Sequence, residues 1–173
     1  MAGPDKLKRN NTSLTGAAGE HYVITQLLRR NYICALAPQG VPNADIIVTD
    51  HIGEKLCAIQ VKTRSSDGKD KGWHMGEKHE TISAAKLFYC FVDFGASLDA
   101  IPACYIVPSK IVSELLTKDH AAWLSTPGKK GRVRNDTKMR RFRPDHSDNL
   151  GKNTSYGPGW LDKHKDNWEL LSN

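Results

Sequence analysis

The 173-residue chain is predicted to fold as one α/β domain around a central sheet of about five strands. Two observations predict this class. Apolar residues recur at helical spacing between Thr12 and Arg30, and short strand-like segments follow. One of these, residues 87–93, is a nearly continuous apolar run, which is typical of a central strand buried on both faces. With 39% hydrophobic and 25% charged residues, the chain is expected to fold rather than stay disordered.

The first half of the chain is predicted to form a helix followed by three strands. Thr12, Ser13 and Thr15 are candidate N-caps for a helix that ends near Arg30. Strands are predicted over 32–36, 44–49 and 55–64. The turn over 50–53 joins the last two, which are therefore expected to form a hairpin.

The second half is predicted to hold two more strands and a second helix. Residues 65–80 are loop-like, and a short helical turn is expected over 81–85. Strands follow over 87–93 and 103–107, and then a helix over 110 to about 118. We therefore divide the chain into a flexible N-terminus over 1–12, a core over 13–123, and a basic C-terminal extension over 124–173 that packs back on the core.

Composition excludes several classes of protein. No run of 18 apolar residues is present, so no membrane-spanning helix is expected, and the first residues lack the apolar region of a secretory signal. The four cysteines form no CxxC pair and are expected to be reduced core residues of a cytoplasmic protein.

The positive charge of the chain is concentrated in one segment. The net charge is +6, and residues 129–143 contain eight basic residues and one acid. Such a segment on a nearly neutral body is typical of a protein that binds a polyanion, although a solubilising loop would give the same pattern. The basic residues are Lys129, Lys130, Arg132, Arg134, Lys138, Arg140, Arg141 and Arg143.

Three polar placements are unusual for core elements. Glu20 shares a helical face with apolar residues, and Asp45 begins an apolar strand. Gln60 and Lys62 share one face of the third strand, since residues alternate faces. Each has an ordinary explanation: Glu20 could lie on the helix surface, Asp45 could cap a turn, and Lys62 could be an edge charge. All three together would require a coincidence of order and spacing.

If the second and third strands are neighbours, these side chains converge. Two carboxylates and an amide oxygen are hard ligands of the kind that Mg²⁺ or Mn²⁺ prefers. Lys62 could position an attacking water or stabilise developing negative charge.

The order Glu20, Asp45, Gln60-x-Lys62 resembles the PD-(D/E)XK nuclease superfamily, and in particular its resolvase-like branch. The resemblance covers residues 13 to about 118 and implies a restriction endonuclease-like core. It implies metal ligation by Asp45, by position 60 and by the Val61 carbonyl, with Glu20 as an added ligand. Gln60 departs from the acid usual at that position, which removes one negative charge.

The resemblance implies a Mg²⁺- or Mn²⁺-dependent endonuclease that cuts DNA. Lys86 and the basic segment would contact phosphates, and a homodimer would suit an enzyme that cuts both strands. Two other hypotheses stay open. One is a catalytically inactive nucleic-acid-binding module of the same fold, which Gln60 favours. The other is a role outside DNA cleavage, such as a structural subunit or an enzyme acting on RNA.

Overall fold

The structure is a computed structural model that describes residues 12–54, 56–65 and 71–172. Its main elements follow in chain order: α1 (Thr12–Leu28), β1 (Ile33–Leu36), β2 (Ile46–Thr49), β3 (Cys57–Arg64), β4 (Trp73–Gly76), β5 (Leu87–Asp93), β6 (Ala103–Pro108), α2 (Ser109–Ser125), β7 (Met139–Phe142) and α3 (Ser147–Leu150). Four 3₁₀ turns lie in the same described ranges: Glu77–Glu80, Lys129–Gly131, Asp162–His164 and Trp168–Ser172.

The predicted α/β class and five-stranded sheet are confirmed. The strand order is β1-β2-β3-β5-β6, in which only the β3–β5 pair is parallel. The expected hairpin is the antiparallel pair β2–β3. The Asp50 carboxylate stabilises its turn by accepting bonds from the main-chain N–H groups of Ile52 and Glu54.

The helices α1 and α2 cover opposite faces of the sheet. Alternate residues of β5 point to opposite faces, so this strand contributes to the apolar cluster under each helix. Phe88, Cys90 and Val92 belong to the apolar cluster beneath α1. Tyr89 and Phe91 belong to a second cluster, which α2 covers. Residues 87–92 are all buried, as expected for a central strand.

Segments from the C-terminal third of the chain reach both clusters. Phe142 and Trp160 lie in the α2 cluster, where the Phe142 ring stacks on Phe91 with centroids 3.9 Å apart. Trp168 and Leu171 lie in the α1 cluster. Residues on both sides of the proposed 123/124 boundary therefore pack in the same two apolar clusters, as expected for an extension that packs back on the core.

Some local predictions were wrong. Trp73–Gly76 is a strand, although residues 65–80 were expected to be loop-like, and it pairs with Met139–Phe142 in a small second sheet. Of the predicted loop, residues 66–70 lie outside the described residues. The helical turn expected over 81–85 lies earlier, at Glu77–Glu80, and α2 extends to Ser125.

The predicted flexible N-terminus, 1–12, lies outside the described residues except for Thr12, which begins α1. Within the described residues, no helix is both long and apolar enough to cross a bilayer. All four cysteines are free thiols, and three of them are buried.

Candidate active site

Asp45 lies where β2 separates from β3. The last paired residues are Ile46 and Ile59, and the main-chain N–H of Asp45 donates to the carbonyl of Ile59 at 2.8 Å. Beyond this pair, β3 continues without β2 beside it. The Asp45 Oδ2 atom accepts a hydrogen bond from the main-chain N–H of Val61 at 2.7 Å and a second from the Gln60 side-chain amide. The carboxylate is thereby fixed against the exposed edge of β3.

The Val61 carbonyl faces the same side of β3 as Asp45. In a strand, the N–H and C=O of one residue point the same way, and successive residues alternate. Ile59 and Val61 bond toward β2 and Asp45, whereas Ala58 bonds toward β5, where its N–H donates to the Lys86 carbonyl at 2.8 Å. The strand therefore presents a main-chain oxygen next to the Asp45 carboxylate.

Glu20 reaches this place because α1 runs very close to β3. A Cβ atom at Gly19 would lie only 1.8 Å from the Thr63 Oγ1 atom, so a glycine is needed at this contact. The buried residues of α1 are Gly19, Val23 and Leu27, and Glu20 is half-buried beside them. Ala17, three residues before Glu20 and on the same face by helical spacing, is exposed.

Charges at the site perturb one another. Burial raises the pKa of Glu20, and the negative charge of Asp45 raises it further. Burial lowers the pKa of Lys62, and Lys78 adds to this effect, while Asp45 and Glu20 oppose it. The structure therefore brings the charges of Glu20, Asp45 and Lys62 close enough to interact, and Gln60 is hydrogen-bonded to Asp45.

The donor set fits a single Mg²⁺ ion. Magnesium is usually held by one or two carboxylates and keeps several water ligands. Glu20 and Asp45 would supply two carboxylates, and Val61 would supply a main-chain oxygen on the side of β3 that faces Asp45. The Gln60 side-chain amide points its nitrogen at Asp45. Rotation of the amide by about 180° would point its oxygen to the same place instead. Among the described residues there is no metal-binding group of three or more His, Cys, Asp or Glu side chains.

A second layer of the site was not predicted from the sequence. Tyr89 lies directly opposite Gln60 on β5, and its hydroxyl is 2.7 Å from His79 Nδ1. Burial lowers the pKa of His79 to about 4, aided by Lys62 and Lys78. Burial also raises the pKa of Tyr89, as does Asp45. The pairing of Gln60 with Tyr89 is seen only in the β3–β5 register, because no sequence pattern relates the two residues.

The predicted phosphate-binding residues fall into different environments. Four are exposed: Lys129, Lys130, Arg132 and Lys138. Arg134 lies over the Trp123 ring, with its Cζ atom 4.8 Å from the centroid, and Nη1 donates to the Trp123 carbonyl at 2.9 Å. Arg141 and Arg143 are half-buried. Exposed Lys86 flanks the start of β3, at the end opposite Lys62.

Arg140 differs from the other basic residues because it is buried. Only 6% of the residue is exposed, and Nε and Nη2 donate to the Glu80 carboxylate. Its Nη1 donates to the main-chain carbonyls of Thr137 and Met139. Because these donors are engaged internally, Arg140 braces the Glu77–Glu80 turn.

Comparison with solved structures gives a structural likeness to a nuclease. The chain is similar to the bacterial homing endonuclease I-Ssp6803I, with 16% sequence identity and a TM-score of 0.48 over 93% of this chain and 91% of that one. No protein-family model matches the chain. No curated protein matches it at a significant level. At this identity and TM-score, the likeness assigns no activity to the chain.

Proposed function

We propose that the protein is a metal-dependent nuclease that hydrolyses phosphodiester bonds in DNA. The observation that carries the proposal is the convergence of Asp45, Glu20 and Lys62 at the point where β2 separates from β3. Two carboxylates whose charges repel, next to a half-buried ammonium group, form an arrangement that costs stability. A bound cation would relieve this repulsion, and the ion together with Lys62 would attract an anionic substrate.

Each residue has a distinct role in this proposal. Asp45 and Glu20 hold Mg²⁺, and the Val61 carbonyl and Gln60 amide oxygen complete the protein ligands. When bound, the ion polarises a phosphoryl oxygen and lowers the pKa of a coordinated water. Lys62 orients the attacking water and stabilises the negative charge that develops on the phosphate.

DNA is the proposed substrate because a loop after α2 exposes a group of cations that a polyanion would bind. Lys129, Lys130 and Arg132 lie on one loop, in which Lys130 and Gly131 both have positive φ angles. The loop also exposes 89% of Val133. Cations grouped on one exposed loop can follow a phosphate backbone without reading its sequence.

The direct test is cleavage of plasmid, branched DNA and RNA with Mg²⁺ or Mn²⁺. Lys62→Ala should lower the single-turnover rate about 100- to 1,000-fold, the usual effect of removing one group that stabilises transition-state charge. Its Mn²⁺ affinity, measured by calorimetry, should change little because an ammonium group is not a metal ligand. The control is Lys163→Gln. Lys163 is exposed and lies on the Asp162–His164 turn, which packs on β6 at the far edge of the sheet. Equal cleavage by Lys62→Ala and wild type would place the site elsewhere.

A second candidate function is nucleic-acid binding without catalysis. The Gln60 amide donates to the same Asp45 oxygen that accepts the Val61 N–H, so this oxygen already has two hydrogen-bond donors without a metal. A binding module of this kind would bind DNA or RNA but leave both intact with either ion. It would also show no calorimetric Mn²⁺ site that depends on Asp45.

A further inference from the structure

The Glu77–Glu80 turn is held rigidly beside the candidate site. At its start, the Glu77 N–H donates to the Lys138 carbonyl at 2.9 Å. At its end, the Ser113 hydroxyl donates to the Glu80 carbonyl, and the buried Arg140 guanidinium binds the Glu80 carboxylate. Contacts from α2 and from the C-terminal segment thus fix the main chain of the turn, which leaves little freedom in where its side chains begin.

The turn is connected to the metal-binding residues through its own His79. The His79 ring meets the Tyr89 hydroxyl at 2.7 Å, and Tyr89 lies opposite Gln60, which donates to Asp45. Lys78 immediately precedes this contact, and its side chain is exposed. Lys78 therefore stands at the rim of the site while its neighbour in the sequence is packed into the wall.

The positive charge of Lys78 adds to that of Lys62 beside the candidate site. Its positive charge acts on both Lys62 and His79 and disfavours a further positive charge at either. The carboxylate of Glu80, two residues away, is already bound by Arg140. Within the described ranges, no carboxylate forms an ion pair with Lys78. Asp45 and Glu20 compensate the charge of Lys62, whereas the exposed ammonium group of Lys78 is left to attract an anion that enters the site.

We propose that Lys78 is a substrate-binding residue that contacts a DNA phosphate next to the one cleaved at Lys62. The proposal rests on the proposed function, because it takes the substrate to be a DNA strand crossing the site. Lys78 grips the strand beside the reacting group, and the braced turn holds it at a fixed distance from Lys62. Its contribution is to binding and register rather than to the chemical step.

The test measures DNA binding without cleavage. Wild type, Lys78→Gln and the control Lys163→Gln are titrated with a fluorescent 20-base-pair duplex in EDTA at several salt concentrations. Lys78→Gln should lower the slope of log affinity against log salt by about 0.9, the value for one duplex phosphate that the protein no longer neutralises. Lys163→Gln should leave the slope unchanged. Because Lys78 is exposed, both variants should keep the wild-type melting temperature.

A second series of duplexes identifies the contacted phosphate. Each duplex carries one uncharged methylphosphonate linkage at a different position. The position that weakens binding by wild type should have no effect on binding by Lys78→Gln, because the contact is already absent.

An unchanged salt slope, or equal sensitivity of both proteins at every position, would overturn the proposal. Tight, Lys78-dependent binding by a protein that cleaves no DNA in the separate assay with Mg²⁺ or Mn²⁺ would instead contradict the nuclease assignment and leave this contact standing. Failure of wild type to bind DNA would overturn both.

Discussion

The main-chain N–H of Val61 donates to the Asp45 carboxylate at 2.7 Å. This bond gives Asp45 a structural task in addition to any metal ligation. Where β2 ends, the Val61 N–H has no neighbouring strand to bond, and an unpaired main-chain donor in a half-buried place is costly. Asp45 therefore has a capping role in the structure that is compatible with the proposed ligand role, whereas the two roles are alternatives when judged from the sequence alone.

The first prediction separates the two roles of Asp45 with two substitutions. Asp45→Asn keeps an oxygen that can accept the Val61 N–H, so its free energy of unfolding should stay within about 1 kcal/mol of wild type. Asp45→Ala leaves that N–H unpaired and should cost about 1–3 kcal/mol. Both should lose metal-dependent cleavage by at least about 100-fold, since the charged ligand is absent from each. Urea denaturation and plasmid cleavage measure the two effects. Cleavage by Asp45→Asn at the wild-type rate would leave Asp45 with the capping role alone.

The second prediction concerns Gln60→Glu. The substitution removes the amide donor that now bonds Asp45 and places a second carboxylate beside the first. Without a divalent ion, like-charge repulsion should lower the melting temperature. With Mg²⁺ or Mn²⁺ the loss should be recovered, because a ligand that binds only the folded state stabilises it by mass action. Thermal melts at several ion concentrations should show a larger ion-dependent shift for Gln60→Glu than for wild type. If the shifts are equal, position 60 is not a metal ligand.

The third prediction distinguishes exposed basic residues from the buried one. The triple variant Lys129→Gln, Lys130→Gln, Arg132→Gln should lower the salt slope of duplex binding, by about 0.9 for each phosphate that is no longer bound, without changing stability. Arg140→Gln should instead reduce the free energy of unfolding by about 2–4 kcal/mol, because it leaves the Glu80 carboxylate without its partner.

The matched control for Arg140 is the double variant Arg140→Gln, Glu80→Gln. It should recover part of the missing stability, since no unpaired charge remains between the two side chains. A stable Arg140→Gln protein with a reduced salt slope would show that Arg140 contacts DNA directly rather than bracing the turn.

The main elements of the fold could be predicted from the sequence because their signals are local. An apolar run long enough to form a buried strand identified β5, and a turn between two strand-like segments identified the β2–β3 hairpin. β7 was missed because two arginines occupy the middle of its Met-Arg-Arg-Phe sequence, and Arg140 is buried only because Glu80 meets it. That partner lies 60 residues away in the chain, where no local pattern reveals it.

The candidate site shows the same division between local and distant information. Strand alternation placed Gln60 and Lys62 on one face, and helical spacing selected Glu20. His79 and Tyr89 could not be found in this way, since their contact depends on how the Glu77–Glu80 turn folds against β5. The place of Tyr89 beside Gln60 depends in turn on the register of β3 with β5. Residues that act through packing against distant segments leave no recognisable spacing in the sequence.

The fourth prediction concerns the pH dependence of stability and follows from His79. Only 2% of this residue is exposed, and burial lowers its pKa to about 4 from an ordinary value of 6.5. Between these values, the unfolded chain binds a proton that the folded protein does not, so stability rises with pH through this window. The stabilisation is therefore complete above pH 6.5 and is lost as the pH falls toward 4. The shift corresponds to about 3 kcal/mol at most.

His79→Gln tests this dependence because glutamine does not titrate and its amide oxygen can still accept a bond from the Tyr89 hydroxyl. Urea denaturation of both proteins from about pH 4 to about pH 8 should show the free energy of unfolding of wild type falling more steeply below pH 6.5. Because His164 also has a lowered pKa, the variant should keep some acid sensitivity, and the difference between the two curves isolates His79. A proton NMR titration of the His79 ring should give a midpoint well below 6.5. Parallel stability curves, or a ring midpoint near the ordinary value, would mean that His79 is solvated rather than packed against Tyr89.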